Sequence, residues 1–181
     1  MKNAVVLMFE NVEELEAIAP IDILRRSGAN VKIASLENSL TVQGRSSVSL
    51  CCDCLFCDIK NEDFDIVVVP GGPGTNNVVA NVQVAEFLRR HNKKGACIAA
   101  ICAAPVVLKN AGILDGKKCT AHTSRIQELE NCLSGESVVC DGNIITSKGA
   151  GTAIDFALEI VAKNFSVETL KEVATSICFA Q

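Results

Sequence analysis

The chain has 181 residues, 49% of them hydrophobic, enough to bury a core and to exclude disorder for its bulk. Charged residues make up 21%, the net charge is −4 and the isoelectric point is about 5.2. No run of Lys or Arg exceeds two, which argues against specific nucleic-acid binding.

The elements follow in chain order. Ala4–Phe9 is a continuous apolar run, as a strand buried on both faces should be. A helix is predicted from about Glu13 to Ser27, stopped by Gly28 and carrying Pro20 inside, where a missing N–H should kink it. Val31–Ser35 is the next strand. Residues 41–59 read as short β pieces, Val42–Gln43 and Val48–Cys51, and a Cys-rich turn. Asp65–Val69 is a buried strand ending in the loop Pro70-Gly71-Gly72-Pro73-Gly74. A helix over about Val78–His91, a strand over Gly95–Ile101 and a helix over Ala103–Asn110 follow, the last stopped by Gly112. Cys119–His122 is predicted as a short strand and Ser124–Glu130 as a short helix. Val138–Cys140 and Ile144–Thr146 flank Asp141-Gly142, a hairpin signal. Gly151–Lys163 and Ser166–Thr175 are the closing helices. This alternation predicts an α/β fold, a mostly parallel sheet with helices on both faces. Ligands then sit at the carboxyl ends of strands, in the loops after Phe9, Val69, Ile101, Ala121 and Thr146.

The length predicts one domain over 1–181. The longest apolar stretch, Ala96–Leu108, has 13 residues against the roughly 20 of a membrane span. Ala4–Phe9 is too short for a signal peptide. The reading is a cytoplasmic protein, so its ten cysteines are expected to be mostly reduced thiols.

Cys102 lies where a strand turns directly into a helix, in Ala100-Ile101-Cys102-Ala103-Ala104. Small residues two before and two after suit a nucleophile elbow. A helix N-terminus there would lower the thiol pKa to about 3.5–7.5. The other reading is a buried core cysteine. Glu16 shares an i, i+4, i+7 stripe with Pro20 and Ile23, so it faces packed surface, where a carboxyl holds its proton near neutral pH. The alternative is an ordinary residue at the edge of the face. His122 ends a short strand on the side where active-site loops collect; packing is its other reading. His91, beside Arg89, Arg90, Lys93 and Lys94, reads as solvated.

Gly71 and Gly72 let backbone approach a ligand, and their N–H groups with that of Ala103 could form an oxyanion hole. Gly149-Ala150-Gly151-Thr152 could bind an anion, but it is no dinucleotide fingerprint. Cys51, Cys52, Cys54 and Cys57 form a dense cluster. It lacks a second ligand pair, so reduced thiols are preferred over zinc, and no metal site is predicted. Cys97, Cys119, Cys132, Cys140 and Cys178 read as small apolar fillers.

Together the stretches VEELE (Val12–Glu16), DILRRSG (Asp22–Gly28), DIVVVPGG (Asp65–Gly72), AAICAAP (Ala99–Pro105), IITSKGAGT (Ile144–Thr152) and DFALEIV (Asp155–Val161) resemble the ThiJ/PfpI superfamily, in the branch of the Parkinson-disease-linked deglycase, the DJ-one branch. The resemblance implies a flavodoxin-like three-layer sandwich and a homodimer. It implies Cys102 as nucleophile, Glu16 as the acid bonded to its sulfur, His122 as a pocket residue and the Gly72 and Ala103 N–H groups as oxyanion donors. It sets Arg26 at a dimer-side anion pocket, matches Arg45 or Ser46 loosely to a second position, and brings Cys51 near the dimer interface. Gly44 replaces a peripheral cysteine, Pro73 a polar residue, and Ala103 the histidine that follows the nucleophile in the protease branch.

The function implied is a glyoxalase or protein deglycase acting on 2-oxoaldehydes without metal or nucleotide cofactor. The alternatives are an oxidative-stress sensor or redox-regulated chaperone using the same cysteine and, less favoured, a cysteine amidase or protease.

Overall fold

The computed structural model describes residues 1–179. Its strands are β1 Asn3–Met8, β2 Asn30–Ser35, β3 Thr41–Gln43, β4 Ser49–Cys51, β5 Cys54–Leu55, β6 Ile66–Val69, β7 Cys97–Ile101, β8 Val138–Asp141 and β9 Ile144–Ser147. Its helices are α1 Glu14–Arg26, α2 Phe56–Ile59, α3 Thr75–Val79, α4 Val82–Lys93, α5 Pro105–Asn110, α6 Ala153–Asn164 and α7 Val167–Ser176.

Seven strands form one sheet in the order β5-β2-β1-β6-β7-β9-β8, parallel except for the β8–β9 hairpin. The central strands β1, β6 and β7 are apolar on both faces because helices cover both: Val5, Val6, Val67, Val68, Ile98 and Ala99 have no exposed surface. The helix α1 packs on α6, which carries α7, while α3, α4 and α5 pack together. Strand order reverses between β1 and β6, and a crevice opens there at the carboxyl ends of the strands. No helix among the described residues is long and apolar enough to cross a membrane.

Several elements differ from expectation. The helix expected over Val78–His91 is two, because Asn81 caps α4 by accepting the Gln83 and Val84 N–H groups. Cys54–Leu55 pairs with β2 rather than turning. Segment 119–122 is no strand. The sheet order gives β9 two neighbours already, β7 and β8, so the Thr120 N–H takes the Thr146 side chain instead. Ser124–Glu130 contracts to a single 3₁₀ turn, Ile126–Glu128. Pro20 leaves α1 unbroken, although it has no N–H for the Glu16 carbonyl.

His91 is not solvated. It is fully buried, with Nδ1–H donating to the Phe87 carbonyl at 2.8 Å and Nε2 accepting the Phe64 N–H at 3.1 Å. Burial lowers its pKa, which keeps the ring neutral in this paired tautomer.

Candidate active site

Cys102 follows β7 with φ 66°, a left-handed conformation uncommon for a residue with a side chain. Two backbone bonds hold this strained turn. Its N–H donates to the Ser147 carbonyl, and its carbonyl accepts the His122 N–H, each at 2.8 Å. Ala100 and Ala104, two before and two after, are completely buried, so a larger side chain would meet packed core.

Glu16 reaches the same point from the first turns of α1 and is 1% exposed. Its Oε2 accepts the Gly71 N–H at 2.9 Å, and the carboxyl also takes the Ala150 N–H and the Cys102 thiol. Sγ in turn faces the N–H groups of Gly72 and Ala103. Glycine at 71 is a steric requirement. A Cβ there would lie 2.7 Å from both Cys102 Cβ and Glu16 Oε2, and 2.8 Å from the Ile101 carbonyl oxygen. Gly72 has φ 114°, and its Cβ would stand 2.4 Å from the Asn11 carbonyl oxygen.

Burial raises the Glu16 carboxyl from 4.5 to about 7, against the pull of its bonds from Cys102 and Gly71. Burial, then the Glu16 charge, pushes the Cys102 thiol up to about 12, while the Ala103 and Gly72 N–H groups pull it down. The expectation of a thiol acidified by a helix N-terminus is therefore corrected. The helix α5 starts only at Pro105 and spans six residues, too short and too distant to outweigh burial beside a carboxyl. The two groups behave as one proton-sharing pair. With Glu16 ionised, the thiol keeps its hydrogen. With the proton on Glu16, its O–H donates to sulfur and the charge opposing a thiolate is gone.

Beside Sγ opens a cavity of about 230 Å³ whose lining includes Arg45, Gly72, Asn76, Ala103, His122 and Arg125. His122 is exposed, and its Nδ1 accepts from Ser124, whose hydroxyl lies at 2.8 Å and N–H at 3.3 Å, so the neutral ring carries its proton on Nε2. No hydrogen bond joins the His122 ring to the Cys102 thiol among the described residues. The two flank Gly149 instead: a Cβ built there would sit 3.7 Å from His122 Cδ2 and 3.8 Å from Cys102 Sγ. A larger depression of about 630 Å³ lies at the opposite, amino ends of the strands, around Asp65, Lys94 and Asn143, far from this chemistry.

The structure thus brings Cys102, Glu16, His122, Gly71, Gly72 and Ala103 together and leaves Arg26 apart. Arg26 donates to Asp22 at 2.8 Å and to the Ser176 hydroxyl at 3.4 Å on the α1–α7 surface. Sequence reasoning missed Asn76 and Arg125, joined at 3.0 Å in the cavity wall; no local motif announces either. The loop at Gly149 stands over the Glu16 carboxyl instead: a Cβ on Gly149 would lie 3.7 Å from Oε1. Cys51, Cys54 and Cys57 are divided among β4, β5 and α2, with Cys52 between the two strands, and no set of three or more His, Cys, Asp or Glu side chains suited to a metal ion is found among the described residues. Of the expected fillers, Cys140 and Cys178 are exposed.

The same fold occurs in known proteins, and the sequence matches a known family. The family model described as DJ-1/PfpI matches residues 2–163. The protein dj-1beta of Drosophila melanogaster is 38% identical over 99% of this chain and 98% of its own. The glutathione-independent glyoxalase DJR-1.2 of Caenorhabditis elegans is 33% identical over 99% and 98%. The deglycase PfpI of Pyrococcus furiosus is 31% identical over 82% of this chain and 91% of its own. The solved structure of Toxoplasma gondii DJ-1, oxidized, superposes with a TM-score of 0.96 at 32% identity over the whole of both chains. By family model, sequence and fold alike, the chain belongs to the DJ-1/PfpI family.

Proposed function

We propose that this protein is a cofactor-independent glyoxalase or deglycase that takes 2-oxoaldehydes such as methylglyoxal onto Cys102. The observation that carries the reading is the buried Glu16 carboxyl hydrogen-bonded to the Cys102 sulfur beneath the Gly72 and Ala103 N–H groups. Relatives named as a glyoxalase and a deglycase support it.

The chemistry follows from the pair. With the proton on Glu16, the Cys102 thiolate attacks the aldehyde carbon and forms a hemithioacetal. The Gly72 and Ala103 N–H groups face the developing oxyanion; such a donor typically contributes about 3 kcal/mol. Glu16 gives its proton to that oxyanion; the carboxylate so formed takes the proton from the former aldehyde carbon and returns it to the neighbouring carbon, while the hydroxyl hydrogen passes to the former ketone oxygen, leaving a thioester. Water hydrolyses the thioester, releasing the 2-hydroxy acid and the thiol. His122 Nε2–H and the two arginines orient the substrate at the mouth. In the deglycase variant, the same carbon arrives as an adduct of an amine or thiol. The test is lactate formation from methylglyoxal by metal-free wild type, Cys102→Ser and Glu16→Ala side by side. The reading expects product from wild type alone. It fails if wild type with Cys102 reduced makes none.

A second reading uses the same sulfur as an oxidative-stress sensor or redox-regulated chaperone switch. The Glu16 O–H would hydrogen-bond a Cys102 sulfinate and halt oxidation there. Mild peroxide should then add two oxygens to Cys102 before any other cysteine. Oxidation spread evenly over Cys51–Cys57 counts against it. The amidase or protease reading loses support, because among the described residues no histidine ring is hydrogen-bonded to the nucleophilic sulfur.

We further propose a homodimer in the cytoplasm. An apolar groove of about 420 Å³ runs between α1 and α6, with Leu15, Ile18 and Ile154 exposed at its rim. A second copy is the occupant that the family resemblance supports. Sedimentation of wild type against Ile18→Glu tests it: a monomeric wild type contradicts the proposal.

A further inference from the structure

Two cysteines outside the active site are already in contact. A parallel bridge joins Cys119 to Cys132. The Cys119 N–H donates to the Asn131 carbonyl at 3.3 Å, and the Leu133 N–H donates to the Cys119 carbonyl at 2.7 Å. Paired residues on neighbouring strands stand about 4.8 Å apart and, in a parallel bridge, send their side chains to the same face. Disulfides span Cα separations of about 4.4–6.8 Å, a range that includes the spacing of a bridged pair. Both thiols are free, and the Cys119 thiol donates to the Glu130 carbonyl at 3.7 Å, two residues before Cys132.

The pair is also asymmetric. Cys119 is completely buried, whereas Cys132 is partly exposed. Burial, then the neighbouring Cys132 sulfur, pushes Cys119 up to about 12. An oxidant from solvent therefore meets Cys132 first, with Cys119 waiting behind it as the resolving thiol.

We propose that Cys119 and Cys132 form a reversible disulfide, a second redox site distinct from Cys102, with a hydroperoxide as oxidant. The Cys132 sulfur attacks a peroxide oxygen, the O–O bond breaks, and a sulfenic acid forms as the other oxygen leaves protonated. Cys119 Sγ then attacks the Cys132 sulfur; the S–S bond forms, the S–O bond breaks and water departs. Two thiols have each lost a hydrogen, and one peroxide has been reduced by two electrons. A dithiol restores both thiols by exchange.

The bond would close the segment 120–131, which carries His122, Ser124 and Arg125 of the cavity wall. Within that segment Thr120 is bonded to Thr146 and Glu136, His122 to the Cys102 carbonyl and Arg125 to Asn76, while its far side rests on one 3₁₀ turn and the Lys109 ammonium on the Glu128 carbonyl. The link would tie the two ends of the segment together. The proposal stands whether or not the protein is a glyoxalase.

The test uses the full chain, reduced, then treated with low hydrogen peroxide, blocked with N-ethylmaleimide and digested with trypsin. Cleavage after Lys118, Arg125 and Lys148 places the two cysteines on separate peptides, 119–125 and 126–148. The expected result is one linked species of these peptides, lighter by two hydrogens than their sum, with fragment ions assigning Cys132 rather than Cys140. It should form equally in Cys102→Ser and vanish after dithiothreitol. Cys132→Ser should leave Cys119 fully alkylable after unfolding. The proposal is overturned if Cys119 of the wild type stays alkylable after Cys132 has oxidised. It is equally overturned if Cys119 links indiscriminately with the exposed cysteines.

Discussion

Cys97 and Cys102 stand at the two ends of β7, and the difference between them shows where reactivity comes from. Both thiols are raised chiefly by burial, Cys97 to about 11 and Cys102 to about 12. Acidity alone would make Cys97 the better nucleophile. What separates them is company. Cys97 has an Asn164 side chain for a partner and no positive φ. Cys102 has a carboxyl that can hold or surrender a proton near pH 7, two backbone donors and a turn that presents its sulfur to a cavity. The strand supplies position, and the neighbours supply chemistry.

The largest expected effect breaks that contrast outright. Cys102→Ser should lower methylglyoxal turnover by about 10³-fold or more, whereas Cys97→Ala should leave kcat/KM near wild type and cost only about 1 kcal/mol of stability from the lost sulfur. Equal losses in both variants would mean that the contrast is not one of site chemistry.

Glu16→Gln keeps the side-chain volume and an acceptor for the Gly71 N–H but cannot carry a proton. Turnover should fall by about 10²–10⁴-fold. Its effect on stability depends on pH. Because burial raises the folded-state pKa of Glu16 from 4.5 to about 7, wild type loses stability as pH rises through that interval. The loss is complete above about 7 and amounts to roughly 3 kcal/mol. Urea melts should find the Gln variant equal to wild type at pH 4 and more stable at pH 8. A variant less stable at pH 8 would contradict the raised carboxyl.

Gly71→Ala sharpens the comparison sterically. The new methyl meets Cys102, Glu16 and the Ile101 carbonyl together, so the pair must part. Activity should drop by about 10²-fold, with a destabilisation of about 1–3 kcal/mol from overpacking. His122→Ala should have the smallest effect. The ring is exposed and bonded to Ser124, not to sulfur, so KM should rise by about tenfold or less while kcat holds. A collapse of kcat would give His122 a part in proton transfer.

Much of this was legible in the sequence, for identifiable reasons. The strands at Val5 and Val67 read correctly because a sheet covered on both faces demands unbroken apolar runs. Cys102 read as an elbow because Ala100 and Ala104 flank it, and Glu16 because its stripe with Pro20 and Ile23 is buried. His91 was misread by weight given to its charged neighbours. Val84, Phe87, Leu88 and His91 lie on one helical face, and that spacing carried the right answer. The acidity of Cys102 was illegible because it depends first on burial and then on Glu16, 86 positions earlier in the chain. The fate of segment 119–122 was illegible because it depends on which strands already flank β9.

The proton-sharing pair is tested most directly by the pH dependence of Cys102 alkylation, followed with iodoacetamide in wild type and in Glu16→Gln. In wild type, the rate should rise through about pH 7 and then level off, as the pair gives up its first proton and keeps its second. In Glu16→Gln that limb should be absent, leaving only the ionisation of an isolated buried thiol. Superimposable profiles would show that Cys102 titrates alone and that Glu16 takes no part in its reactivity.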